Sequence, residues 1–266
     1  MRPVGVERLL HAFEEANKKG RKTLIVYVCA GDPDLKATAE LVPFLAEAGA
    51  DIIEIGVPFS DPIADGPTIQ AASQRALAAG TSMAAVLNLV GELRSRLRDL
   101  PLVLMTYYNP VLRFGLRSMA ATLKEKGGDG LIVPDLPAEE AGPLRSALDE
   151  HGLALVPLVA PTTPDSRLKV VVDGGRGFVY CVSLTGVTGA REELPPYLEA
   201  YLKRVRAATN LPLAVGFGIS RPEQAARLAP LADGIVAGSA VVDAFHRGGL
   251  VAATGLVRAL RAALDG

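Results

Sequence analysis

Eight runs of strand length are apolar almost without interruption: residues 24–29, 51–55, 102–106, 130–133, 154–159, 178–182, 213–215 and 234–237. Between them apolar positions recur at helical spacing, as in Leu41, Phe44, Leu45 and Ala48, or Leu198, Leu202, Val205 and Ala208. Runs that do not alternate with polar residues are covered on both faces, the condition of parallel strands under helices. Eight such strand–helix units in roughly 250 residues predict an α/β fold, a (β/α)8 TIM barrel. Val6, Leu9, Leu10 and Phe13 add an extra amphipathic N-terminal helix, and 68–79 with 82–97 read as two helices after the second strand. A doubly wound open sheet shares the alternation, but its dinucleotide fingerprint is missing. Gly216-Phe217-Gly218-Ile219-Ser220-Arg221 lacks the third glycine, and no Walker lysine motif occurs. With no proline- or serine-rich linker, residues 1–266 are read as a single domain.

Composition narrows the partners. A chain 49% hydrophobic and 21% charged is not a disordered one. Its formal net charge of -1 lacks the basic surplus that a phosphate backbone requires, so nucleic acid is not expected. Arg2, Glu7, Arg8, Glu14, Glu15, Lys18 and Lys19 break up any apolar signal region, and apolar stretches such as 152–161 are too short for a bilayer. A soluble, cytoplasmic protein with no membrane partner is the expectation. Cys29 and Cys181 stand in apolar runs outside any metal or redox spacing, so two buried thiols are expected, with neither a disulfide nor a structural zinc.

In such a barrel the chemistry gathers at the carboxyl ends of the strands. His11, His151 and His246 fall in or beside helical stretches, and each lysine lies before a strand or in a helix. Histidine general bases, histidine-bound metals and Schiff-base lysines therefore have no obvious donors there, leaving carboxylates and tyrosines for proton transfer. Glu54 interrupts Ile52-Ile53-Glu54-Ile55, where an unpaired carboxylate costs several kcal/mol and its pKa should rise. The competing reading is a buried ion pair with an arginine. Asp61 and Asp65 sit in a loop stiffened by Pro58, Pro62 and Pro67, although a solvated, self-bonded turn accounts equally well for Asp61. Asp32 and Asp135 read as caps of helices or turns. Glycines 216, 218 and 238, with Ser239, follow the last two strands, where backbone N–H groups can hold a phosphate.

The stretch from Glu54 through Pro58-Phe59-Ser60-Asp61-Pro62-Ile63-Ala64-Asp65-Gly66-Pro67 to Gln70 closely resembles the signature of the tryptophan synthase α-subunit family. So do, in the same order, Gly31-Asp32-Pro33, Met105 to Pro110, Val133 to Pro137, Thr185 to Gly189, Val215 to Ser220 and Gly238-Ser239-Ala240. The resemblance implies a (β/α)8 barrel and a cofactor-free, metal-free lyase that cleaves indole-3-glycerol phosphate to indole and glyceraldehyde 3-phosphate. It implies Glu54 as the acid–base residue, Asp65 as acceptor of the indole N–H and Tyr180 beside the reacting centre. Gly189, Gly218, Gly238 and Ser239 would hold the phosphate, with Gly216 and Phe217 in the same substrate segment. Tyr27, Phe59, Ile63 and Met105 would line the wall against the indole ring. A loop over 184–194 would close through Thr188 onto Asp65, and Leu184 departs from the arginine of some members.

The resemblance further implies an α2β2 complex with a pyridoxal-phosphate β subunit that receives the indole, with Pro58, Asp61 and Pro62 near the interface. The alternatives are another phosphate-binding barrel of tryptophan or histidine biosynthesis, a standalone indole-releasing lyase, and a silent scaffold that binds phosphate and activates a partner. Intact Glu54 and Asp65 argue against the last.

Overall fold

The computed structural model describes residues 2–182, 196–216 and 218–265. Helix α1 (Val6–Lys18) precedes β1 (Thr23–Cys29), α2 (Leu35–Glu47), β2 (Ile52–Gly56), α3 (Pro67–Ala78), α4 (Met83–Arg96) and β3 (Leu102–Met105). Next come α5 (Tyr108–Phe114), α6 (Leu116–Glu125), β4 (Gly130–Ile132), α7 (Gly142–Asp149), β5 (Ala154–Leu155), β6 (Leu158–Val159) and α8 (Asp165–Asp173). The order ends with β7 (Val179–Val182), α9 (Leu198–Ala208), β8 (Leu213–Gly216), α10 (Pro222–Leu228), β9 (Gly234–Ala237) and α11 (Ser239–Asp265). Within α11, Gly249 takes a φ of 62° and breaks the helix.

Every strand pairing is parallel, in the order β5-β4-β3-β2-β1-β9-β8-β7-β6. The two ends of that order are consecutive in the chain. The run expected as one strand over 154–159 divides because Pro157 has no N–H to give a ladder. Val156 N–H nevertheless donates to Leu131 O beside it at 2.9 Å, and Pro157 O accepts from Tyr180 N–H at 2.9 Å. This one stretch touches both neighbours, so the sheet closes as the predicted barrel. The second strand begins at Ile52 and not at Asp51, whose side chain instead accepts the N–H of Leu24 at 2.9 Å.

Side chains alternate between two apolar layers. Leu24, Val26, Ile53 and Ile55 face the helices, while Ile25, Ile52, Val103 and Phe178 fill the lower interior. Helix α1 seals that amino end with Leu9 and Phe13, the Phe13 ring lying 5.6 Å from that of Phe178. Fully buried Asp129 fastens it: its carboxylate accepts the N–H groups of Gly5 and Leu102, each at 2.9 Å, and pairs with Arg8 and Arg94. Val6 N–H reaches Gly152 O at 3.0 Å. With the lower end plugged, polar groups inside the barrel can gather only toward the carboxyl ends. Among the described residues no single helix is long and apolar enough to cross a membrane; α3 and α4 together pass on length and composition but are bent by 98°.

Candidate active site

Strand register decides which polar side chains meet. On β2 the inward positions are Ile52, Glu54 and Gly56, and Glu54 pairs with Tyr27 of β1 and Val103 of β3. Glu54 is 1% exposed, and its Oε2 has no hydrogen-bond partner among the described residues. The ion pair that competed with a functional reading is not formed among the described residues. Burial pushes the Glu54 carboxyl up to about 8, with the nearby charge of Asp65 adding to the rise. A group tuned this way is a neutral acid near neutral pH that can give up its proton and take one back.

Two phenols share this environment. Burial first, and the neighbouring carboxylates after it, hold Tyr27 and Tyr180 well above the ordinary tyrosine range, so both remain hydroxyls. Glycines on the adjacent strands make room for them: a Cβ at Gly56 would lie 2.0 Å from Tyr27 Oη, and one at Gly216 would lie 2.6 Å from Tyr180 Oη. Gly56→Ala should therefore displace Tyr27, lowering stability by about 1–3 kcal/mol in chemical denaturation and lowering turnover as well. A variant with unchanged stability and activity would show that the phenol has space to move.

Asp65 reaches the site on the loop between β2 and α3. Pro67 starts α3, where the missing N–H costs nothing. Gln70 Nε2 donates to Asp65 O at 2.8 Å, holding the loop's last turn. The Tyr107 hydroxyl donates to Asp65 Oδ2 at 2.9 Å and accepts the Ala64 N–H at 3.0 Å. Phe59 stacks on the Tyr107 ring with centroids 5.1 Å apart. Burial raises the Asp65 carboxyl, and the Tyr107 bond acts in the opposite direction by favouring the ionised form. Tyr107, not among the expected site residues, is thus the group that orients Asp65; its signal in the sequence was a tyrosine immediately beyond a strand end. Tyr107→Phe should lower kcat/KM about tenfold, since it removes one hydrogen bond to a charged group. Unchanged kcat/KM would remove Tyr107 from the site.

The other expected residues divide. Met105 is partly buried between the inner clusters, near Tyr27. Ile63 is 82% exposed at the loop tip, so it does not line the wall. Pro58 is buried within the chain and offers little to a partner, whereas Asp61 is exposed, with the Ser60 hydroxyl donating to its carboxylate in a local turn, and Pro62 is half-buried. Asp32 is not a cap: buried, it takes two bonds from Arg75, each at 2.7 Å, and Asp34 caps α2 through Ala37 N–H at 2.7 Å. Asp135 does hold a helix start, accepting Tyr108 N–H at 2.8 Å.

Gly218 is exposed with a φ of 57°, a conformation suited to glycine. Gly238 O accepts the N–H groups of Val241 and Val242 at 2.9 and 3.1 Å, so Ser239 opens the first turn of α11, the end of a helix that favours anions. A Cβ on Gly238 would come 3.4 Å from Tyr27 Cβ, which places this turn beside the carboxyl mouth. Leu184, Thr188, Gly189, the rest of the 184–194 segment and Phe217 lie outside the described residues. Among the described residues no group of three or more His, Cys, Asp or Glu side chains could hold a metal ion, and Cys29 and Cys181 are free and buried.

Comparison with known proteins agrees with this geometry. The family model described as "Tryptophan synthase alpha chain" matches residues 13–261. The tryptophan synthase alpha chain of Caldanaerobacter subterraneus subsp. tengcongensis is 49% identical over 243 residues, covering 91% of this chain and 92% of the relative. That of Geobacter sulfurreducens is 49% identical over 242 residues, covering 91% of each. Among solved structures, a chain of Mycobacterium tuberculosis tryptophan synthase superposes with a TM-score of 0.91 at 40% identity, over 99% of this chain and 100% of that one. The tryptophan synthase alpha chain of Legionella pneumophila gives 0.89 at 36%, over 97% of each.

Proposed function

Because the chain belongs to the tryptophan synthase alpha chain family, we propose that Glu54 and Asp65 divide the work of a retro-aldol cleavage at the carboxyl mouth of the barrel. The reaction is the cleavage of indole-3-glycerol phosphate to indole and glyceraldehyde 3-phosphate, and the partner is the β subunit of tryptophan synthase, to which the indole passes. The observation that carries the residue assignment is the buried, unpartnered Oε2 of Glu54, in a carboxyl tuned to about 8, with a second carboxylate close enough to raise it.

The chemistry needs three things at once. A proton must arrive at indole C3, the positive charge that then develops on the ring nitrogen must be offset, and the hydroxyl on the adjacent side-chain carbon must lose its proton as the carbon–carbon bond breaks. Glu54 begins neutral and donates to C3. The carboxylate left behind takes the hydroxyl proton, the electrons of the broken bond restore the aromatic ring, and glyceraldehyde 3-phosphate leaves with its aldehyde formed. The catalyst ends in the state in which it began, and every proton is accounted for by side chains alone. Asp65, held by Tyr107, accepts the ring N–H and offsets its charge. Tyr27, Phe59 and Met105 supply the apolar wall, Tyr180 stands by the reacting centre, and Gly216, Gly218, Gly238 and Ser239 receive the phosphate with Phe217 and Gly189.

Residues 1–266 act as one domain, working in the cytoplasm, and closure through Thr188 shuts water out of the site. Asp61 and Pro62 are the loop residues placed to meet the β subunit. Indole release from indole-3-glycerol phosphate by the purified chain, alone and with a β subunit, tests the assignment. Slow release that rises with the partner supports it, fast release without a partner would make the chain a standalone lyase, and none under either condition would overturn it.

A further inference from the structure

Helices α7 and α8 do not close over the strand between them. They leave an open groove of about 160 Å³, smaller than the sites that take drug-sized ligands and suited to a small molecule. Its floor is the helix-facing side of the barrel wall, where Val133 and Leu155 point outward, so it lies on the far side of that wall from Glu54. Leu136 and Val171 continue the apolar lining on this face. No carboxylate lines it, but two arginines do, Arg145 and Arg167.

Arg145 is the informative one. Its guanidinium lies against the chain at Gly174, where a Cβ would stand 2.2 Å from Arg145 Cζ. Its Nε is buried and has no hydrogen-bond partner among the described residues. Three acidic side chains that flank the groove pair with other arginines: Glu139 with Arg167 at 2.9 Å, Asp149 with Arg176 at 2.8 Å and Asp165 with Arg204 at 2.7 Å. A half-buried guanidinium with no ion pair among the described residues, beside an apolar floor, matches a ligand with a charge at one end and a hydrocarbon surface at the other.

We propose that the groove between α7 and α8 is a second ligand site that takes a flat apolar molecule bearing one anionic group, a carboxylate or a phosphate, paired with Arg145. The site is independent of the lyase assignment, because none of the residues assigned to the lyase reaction lines it.

Calorimetric titration of the full chain with 2-naphthoate and 2-naphthyl phosphate, with 2-naphthol as the neutral control, tests this. At least one anion is expected to bind, with the preferred one identifying the group, and 2-naphthol is expected to bind about tenfold more weakly or worse. Arg145→Met, which keeps the chain length but not the charge, and Ala138→Trp, which fills the groove from a partly exposed position, should each weaken anion binding about tenfold, with thermal melts and indole release unchanged. The second variant keeps the test open if the first folds poorly. No binding of either anion at about 1 mM, equal binding of the neutral control, or affinity unaltered by both substitutions would overturn the proposal. In the last case the aromatic probe sits elsewhere, such as in the barrel mouth.

Discussion

Glu54→Gln is expected to lower indole release from indole-3-glycerol phosphate by about 10³-fold or more, with the fold preserved. The amide keeps the size and shape of the carboxyl in a pocket closed to solvent, but it cannot deliver a proton to the ring and recover one from the hydroxyl. Loss of kcat with little change in KM is the signature of a group that acts only as the bond breaks. Near-normal turnover would remove Glu54 from the reaction.

The same substitution has a second consequence, which runs in the stabilising direction. An unfolded chain releases the Glu54 proton near 4.5, whereas the folded chain holds it to about 8. Between those values the unfolded state binds fewer protons, so stability falls as pH rises. The contribution is whole below about 4.5 and lost by about 8, and its size is of the order of 3–5 kcal/mol. Glu54→Gln cancels that slope. Asp51 and Asp129 are also raised by burial and tilt the parent curve in the same sense, so the quantity to read is the difference between parent and variant. Denaturation at pH 5 and pH 8 should show the variant gaining on its parent as pH rises. A constant difference would mean that Glu54 is ionised without penalty.

Asp65→Asn is expected to cost about 10²–10³-fold in kcat, the size associated with removing one fixed charge from a developing ion. The amide can still accept the Tyr107 hydroxyl, so the loop stays in place and the loss is electrostatic. Asp65 also helps to raise Glu54, and without it the Glu54 carboxyl falls part of the way toward its ordinary range. The alkaline limb of the activity profile, where Glu54 ceases to be an acid, should move to lower pH. A variant with full activity and an unmoved limb would separate Asp65 from both roles.

The barrel was legible because parallel strands under helices carry apolar side chains on both faces, as Ile52, Ile53 and Ile55 do. A carboxylate at position 54 stood out against that background for the same reason. The break in the fifth strand had a signal in Pro157, which cannot donate to a ladder, but an apolar run reads as continuous when only hydrophobicity is counted. Tyr107 was hidden by distance: it meets Asp65 across 42 residues, and nothing local to either position announces the bond. The space that Gly56 and Gly216 leave for two phenols is likewise a property of neighbouring strands. Asp32 shows how a local rule yields to tertiary structure, since a residue suited to capping is drawn to Arg75 43 residues away. Ile63 shows the converse, an apolar side chain placed in the wall by analogy yet standing at an open loop tip.

The plug at the amino end of the barrel bears on how the chain is made. Helix α1 is synthesised before the strands it seals, yet its anchors are Asp129, 124 residues beyond Gly5, and the carbonyl of Gly152. Until both have been synthesised, Leu9 and Phe13 have no floor to rest on, and α1 must wait as an amphipathic helix with its apolar stripe uncovered. The last strand, β9, must likewise return to pair with β1 before the ring is complete. Birth order and docking order are therefore opposed at this end of the molecule, and a nascent chain halted before residue 129 exposes an apolar face suited to a chaperone.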